Sequence, residues 1–416
     1  LYHDLIIVGA GSCGIASAIK ANDLGIDVAI IDGSDRIGRK LLITGNGRCN
    51  LTNENLTLSR FHSDNNNFFK DIINTYDLEY TLNFFKSIGI YTCTLESGKI
   101  YPLSLQASSV IDILRMNLSE RNIPSYMSEK VLNIIKTKKG LFEVITSSNT
   151  YTCKKILLCT GGKSYVKTGS DGSGYKLAKN LGHSIVKCTP GIVQLRLSYD
   201  RLKAISGVKF ESHCNIEVDG EVKRQEFGEI LFTDYGISGP PILQLSRIAS
   251  KGVLNKSLVH IHVNLLNSDY DHILDFFETH FAVFSYRSIS DNLIGIINKK
   301  LIPIILKECG ITDIHIPTYS VEYEYRYRLY KLLCDWKFEV TDTNSFENAQ
   351  VTVGGVDTSE VNPITLESKL TSGLYFGGEI LDIDGDCGGF NLQWCWSSSS
   401  AAVKGIYDSL RGNVPK

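Results

Sequence analysis

Apolar and polar positions follow two rhythms along this chain. Near the N-terminus a β-branched run, Asp4 to Val8, leads through glycines into Ile15 to Leu24, where small and apolar residues recur at helical spacing. A second run, Asp27 to Ile31, predicts the next strand and ends at Asp32. Val131 to Lys136, Leu141 to Thr146 and Ile156 to Cys159 are β-rich runs separated by turn residues, which predicts a small antiparallel meander. From about Gly191 to Glu347 the pattern changes to alternating strands, such as Cys214 to Val218 and Leu258 to Val263, followed by amphipathic helices. The last stretch returns to the first rhythm. Gly373 to Glu379 reads as a strand ending in a carboxylate, and Gly385 to Gln393 opens a helix running through Lys404.

These elements predict an α/β fold: a discontinuous Rossmann-like domain at 1–190 plus 348–416, interrupted by an inserted α+β domain at 191–347. Between the first strand and helix stands Gly9-Ala10-Gly11-Ser12-Cys13-Gly14. In this G-x-G-x-x-G pattern Gly9 permits the tight turn, Gly11 lets the backbone approach a pyrophosphate, and Gly14 allows close packing of helix on strand. The helix N-terminus adds free N–H donors and a positive dipole end. Asp32, about 20 residues beyond the glycines, can accept hydrogen bonds from ribose hydroxyls and disfavours a 2′-phosphate. A bound dinucleotide follows, without a choice between NAD and FAD.

Two further stretches bear on that choice. Asp35 to Asn53 mixes glycines with Arg36, Arg39, Lys40 and Arg48, which suits anion contact and also describes a basic surface loop. Gly385 to Gln393 is a second glycine approach to a helix N-terminus, an arrangement that stabilises a reduced flavin where its N1 and C2 carbonyl become anionic. It is equally an ordinary helix start.

Gly38 to Asn53, together with Val351 to Val356 and its continuation to Ser397, resemble a bacterial NAD(P)/FAD-dependent oxidoreductase family that includes aminoacetone oxidase and the 3-dehydro-bile-acid reductases. The likeness spans nearly the full chain and extends distantly to the fumarate reductase and succinate dehydrogenase flavoproteins. It implies a glutathione-reductase type 2 FAD-binding domain, FAD held non-covalently, and the inserted segment acting as a cap. It further implies that Gly9, Gly11, Ser12 and Gly14 cradle the pyrophosphate, that Asp32 holds the adenosine ribose, and that Arg39 and Lys40 lie along the cofactor. Gly47, Arg48, Cys49 and Asn50 would approach the isoalloxazine, and Val131 the adenine. Thr160 and Gly161 would make a second main-chain contact, though they also read as a strand-terminating turn. Gly378 and Glu379 would reach the ribityl chain, and Gly388, Gly389, Phe390, Asn391 and Leu392 the pyrimidine end of the flavin. Two positions depart from the family: Asp234 stands where His is usual, and Asn46 where Gly is usual, so the loop beside the flavin is expected to sit differently.

Composition narrows the picture. With 416 residues, 43% apolar and 21% charged, the chain is enzyme-sized and favours two or three domains. A formal charge of −2 provides no global field for nucleic acid or an anionic membrane. The start lacks a basic signal region, and no stretch of about 18 uninterrupted apolar residues occurs, so neither export nor membrane spanning is expected. Eleven cysteines without a C-x-x-C pair suggest reduced thiols in a cytoplasm.

Other features carry less. Tyr323 to Lys331 interleaves aromatic rings with cations, a composition suited to single-stranded nucleic acid but read here as a strand leading into a packed helix. His260 and His262 lack a third ligand nearby, so no metal is expected. Cys49 lies in a cation-bearing loop able to lower a thiol pKa, though tight packing explains a small residue there equally well and a redox role is the less favoured reading; Trp394 and Trp396 read as core. In Gly169 to Gly174, Ser and Asp are suited to capping the helix that follows.

The leading expectation is an FAD-dependent reductase that takes hydride from transiently bound NAD(P)H and passes it to an unsaturated or carbonyl-bearing small molecule. An oxygen-dependent amine oxidase of the aminoacetone type and a non-catalytic flavin-binding protein stand as alternatives. Tyr235 and Arg48 are the only catalytic candidates, and the oligomeric state stays open.

Overall fold

The computed structural model describes residues 1–412. It divides into two compact units, Leu1–Thr189 with the chain from Gln350 onward, and Pro190–Ala349.

The first unit is built on a parallel sheet whose strands run, edge to edge, Ser125–Tyr126, Val28–Ile31, Tyr2–Val8 and Thr150–Leu158. Leu5 pairs with Val28, and Val8 with Ile31 on one side and Leu158 on the other. Leu5, Ile6 and Ile7 are fully buried, and all four residues of Val28–Ile31 are buried as well. Such unbroken apolar runs mark strands covered on both faces. Helix Ser12–Asp23 packs against the long helix Phe390–Leu410.

The third β-run differs from the predicted meander. The strand begins at Thr150 and forks: Thr150–Cys153 pair antiparallel with Phe142–Ile145, whereas Ile156–Leu158 pair parallel with Leu374–Phe376. The meander therefore grows out of the main sheet. Burial decides this, because Ile156, Leu157, Leu158, Leu374, Tyr375 and Phe376 have no exposed surface and need partners on both faces.

The second unit is a closed antiparallel barrel of six strands, in the order Leu195–Ser198, Gly236–Ser238, Glu221–Phe232, Lys209–Val218, Val259–Asn264 and Trp336–Thr343. Val259, Ile261 and Val263 point into its core while His260 and His262 alternate outward, the former on Glu217 (3.1 Å) and the latter on Asp335 (2.7 Å). Tyr323–Cys334 is one helix throughout, without a leading strand. The alternating tyrosines mimic a two-residue period, but the inward residues are Leu329, Tyr330 and Leu333, spaced for a helix. Its Arg326 pairs with Glu278 at 2.9 Å, and Arg328 pairs with Glu324. Among the described residues no helix is long and apolar enough to cross a membrane.

Candidate dinucleotide site

The glycine turn sits between strand Tyr2–Val8 and helix Ser12–Asp23. Gly9 has φ +110°, and a Cβ there would lie 2.4 Å from the Cys159 carbonyl oxygen; a Cβ on Gly14 would lie 1.9 Å from the Gly9 carbonyl oxygen. Both positions therefore exclude any side chain. In front of Gly11 there is open space, with no atom within 4 Å of a Cβ. Gly11 is the N-cap of the helix, no side chain caps it, and no acidic residue lies in the first turn. The helix thus keeps its N-terminal donors for an anion.

Asp32 closes the second strand against this turn. Its Oδ2 accepts from the Ala10 N–H at 2.6 Å and its Oδ1 from the Ser34 N–H at 2.7 Å. Each oxygen retains a second lone pair, so the carboxylate braces the turn and still has capacity for a ribose hydroxyl.

Lys40 and Glu379, far apart in sequence, meet. Lys40 Nζ lies 2.8 Å from Glu379 Oε2 and 2.7 Å from Ser164 Oγ. Glu379 Oε1 accepts from the Thr352 N–H (2.8 Å) and from the Ser164 hydroxyl (3.2 Å). Ser164 and Thr352 were not singled out by sequence reasoning: Ser164 belongs to no motif, and Thr352 lies in the Val351 to Val356 stretch without any role assigned to it. Arg39, in contrast, does not join Lys40. Its exposed guanidinium faces Asp35 at 3.6 Å, four residues back in the chain, where solvation favours it. Gly161 lies beside this group, a Cβ there being 3.8 Å from Glu379 Oε2 and 2.9 Å from Ser170 Oγ. Thr160 packs on the helix Ser173–Asn180 through Gly174, and its Oγ1 is buried without a partner. That helix starts from Gly172, with the Asp171 carboxylate accepting from the Ser173 N–H at 2.9 Å; no serine caps it. Val131 is buried at the head of its strand, opposite Thr146.

The second half of the site gathers around helix Phe390–Leu410. Its N-cap, Gly389, has φ +102° and no capping side chain. Asn391 clamps the approach, donating to the Gly385 carbonyl (2.7 Å) and accepting from the Gly385 N–H (2.8 Å). Asn53 donates to the Gly388 carbonyl at 3.0 Å. Asn50 is buried with its Oδ1 unpaired, 3.0 Å from where a Gly389 Cβ would stand. Phe390 is buried, and Leu392 half-buried. Gly378 donates to Ser398 Oγ (2.9 Å) and accepts from the Trp394 indole N–H (3.0 Å), and Trp396 donates to the Leu51 carbonyl, which fixes both tryptophans in the core.

The loop before Asn50 keeps a left-handed path: Gly45, Asn46 and Gly47 have φ of 56°, 55° and 78°. Asparagine tolerates this region better than most side chains, which accounts for a non-glycine residue at Asn46. Gly47 and Arg48 are exposed, and the Arg48 guanidinium lies 5.0 Å from the centre of the Tyr101 ring. Of the two readings of Cys49, a reactive thiol or a small packed residue, the structure favours packing. Cys49 is fully buried, and burial pushes its thiol up to about 12. Tyr235 belongs to the other unit, where Arg196 lies 5.3 Å from its ring centre, next to the exposed Asp234.

Two bare helix N-termini, open space at Gly11 and the unpaired oxygens of Asn50 and Thr160 fit a ligand with a pyrophosphate at one end and a hydrogen-bonding ring at the other. FAD has that chemistry. The fold and site define a Rossmann-type flavoprotein. Residues 3–405 match the family described as HI0933-like protein Rossmann domain, and the chain belongs to this family of FAD-binding oxidoreductases. It is 36% identical over 399 residues to the 3-dehydro-bile acid Δ(4,6)-reductase of Clostridium scindens, covering 95% of this chain and 97% of that one. With the ribosomal RNA dihydrouridine synthase of Escherichia coli it shares 30% identity over 406 residues, 97% and 98% of the two chains. The solved 3-ketosteroid Δ1-dehydrogenase of Sterolibacterium denitrificans shares the fold, with 10% identity, 98% and 100% coverage and a TM-score of 0.50.

Proposed function

We propose that this protein is an NAD(P)H-dependent reductase of a carbon–carbon double bond conjugated to a carbonyl, carried by a small molecule, with FAD bound non-covalently. The observation that carries this reading is full-length identity of 36% with a Δ(4,6)-reductase of 3-dehydro-bile acids. The second relative points the same way, since making dihydrouridine saturates a ring double bond beside a carbonyl. When bound, FAD supplies the hydride for this reduction and is recharged by a nicotinamide. The protein's own contribution is electrostatic and positional. The bare start of helix Phe390–Leu410 offers N–H donors to negative charge, and Asn391 holds its approach in place. Gly9, Gly11, Ser12 and Gly14 receive the pyrophosphate. Lys40, neutralised by Glu379 and also bonded to Ser164, has one further ammonium hydrogen to offer without an unbalanced charge. All eleven cysteines are free, which suits a reducing cytoplasm.

Anaerobic stopped-flow tests this in two halves. NADH or NADPH is expected to bleach the flavin, and a steroid 4,6-dien-3-one to restore its colour. Bleaching by aminoacetone alone, with peroxide formed on admitting oxygen, would replace the reading with an amine oxidase. Colour restored by unmodified ribosomal RNA and by no dienone would move the substrate to a nucleobase.

A further inference from the structure

We propose that Cys13 and Cys159 form an oxidation site: a peroxide joins them in a reversible disulfide that loosens the hold on FAD. Their sulfurs lie 3.3 Å apart in the core. Cys13 is in the first turn of helix Ser12–Asp23, and Cys159 directly follows strand Thr150–Leu158. The Cys159 N–H donates to the Val8 carbonyl at 2.8 Å, and its own carbonyl packs on Gly9. The two thiols therefore face each other across the two arms of the glycine turn. Gly377 keeps the space between them open, since a Cβ there would lie 2.6 Å from Cys13 Sγ and 3.4 Å from Cys159 Sγ.

Their environments divide the roles. Burial by itself would raise the Cys13 thiol, but hydrogen bonds with Cys159 and Ser398 and the charge of Lys20 outweigh it and hold the thiol below its ordinary value. Burial, then the Cys13 hydrogen bond and charge, raises Cys159 well above its own. One sulfur is thus the nucleophile and the other the resolving thiol. Cys153 and Cys309 show the contrast: burial pushes both up to about 12.

The chemistry balances with a peroxide as oxidant. The Cys13 thiolate attacks one peroxide oxygen, the O–O bond breaks, and a sulfenic acid and one water result after protonation. Cys159 then attacks the Cys13 sulfur and loses its proton, the S–O bond breaks, and a second water leaves. Two thiols have given up two electrons. Closing to a bond of about 2.05 Å draws the first helical turn toward the strand end. This proposal rests on the turn as the pyrophosphate cradle and is independent of the substrate.

The holoprotein is treated with hydrogen peroxide, its free thiols are alkylated, and the peptides are mapped by mass, while FAD release is followed by filtration. A Cys13–Cys159 link, reversed by dithiothreitol and accompanied by roughly tenfold faster FAD release, is expected. Cys159→Ala is expected to abolish both. Unlinked cysteines, or Cys13 linked to Cys395, would overturn the proposal, as would a correct link with unchanged FAD release. Wild-type mapping stands even if the variant fails to fold. A chain that purifies without any flavin would strike the cofactor reading instead.

Discussion

Helix Ser12–Asp23 of the first unit and helix Tyr270–Val283 of the second begin in opposite ways. Tyr270–Val283 starts from Asp269, whose carboxylate accepts from the His272 N–H at 3.0 Å, and carries Asp271 in its first turn. Ser12–Asp23 starts from Gly11 with no cap and no acid. The first arrangement satisfies the helix dipole from within the chain, and the second leaves it for a ligand. Their surroundings differ in the same sense. Asp269 and Asp271 are exposed, whereas the Ser12 helix is locked against the sheet and helix Phe390–Leu410, so its bare end is held rigidly. A polar group left unspent on a rigid element is what the proposed pyrophosphate would use here.

Breaking the rigid side has the largest expected effect. Gly14→Ala sets a methyl group on the Gly9 carbonyl oxygen, with no room to relax. It is expected to cost about 1–3 kcal/mol of stability and to leave the purified protein nearly colourless, as read by flavin absorbance per chain and by thermal unfolding. Gly11→Asp makes the first helix begin like the second. The backbone at Gly11 is extended and the space ahead is open, so the aspartate fits and caps its own helix. The flavin-free form is expected to gain about 1 kcal/mol, while FAD affinity falls roughly tenfold or more, as a fluorescence titration with FAD would record. Unchanged affinity would mean that the pyrophosphate does not sit at this turn.

Lys20, on the buried face of the same helix, sharpens the comparison through pH. Its Nζ donates to Ser399 Oγ (3.0 Å) and the Trp396 carbonyl (3.2 Å) and lies 4.3 Å from the Phe84 ring centre. Burial lowers it to about 7 from its ordinary 10.5, with the Cys13 charge opposing. Between those values the unfolded chain binds more protons than the folded one, so this residue makes stability rise with pH across that window. Lys20→Met is expected to remove that part of the slope in Tm against pH. The smallest effect belongs to Asp269→Ala, which removes an exposed cap. A slightly lower Tm with FAD content intact is expected, and loss of flavin would erase the distinction between the two helices.

Much of the first unit was legible because its signals are local. The strand run before Gly9, the turn glycines and the carboxylate at Asp32 lie within a few dozen residues, and each follows from backbone geometry. The β-branched runs of the second unit were equally readable as strands. Their closure into a barrel was not, since it depends on pairings such as Leu195 with both Ile237 and Thr343. At Tyr323–Cys334 the alternating tyrosines misled, because which residues face inward depends on what packs there.

By itself, the sequence determined the α/β class, the glycine turn and the second glycine approach to a helix, for these rest on periodicity and on residues only certain backbones tolerate. Tertiary structure alone decided that Lys40 meets Glu379 while Arg39 turns to Asp35, that Cys49 is buried with its thiol pushed up while Cys13 faces Cys159, and that one strand forks between two partners. Those outcomes depend on distance and burial between segments up to hundreds of residues apart, and neither quantity is written in local order along the chain.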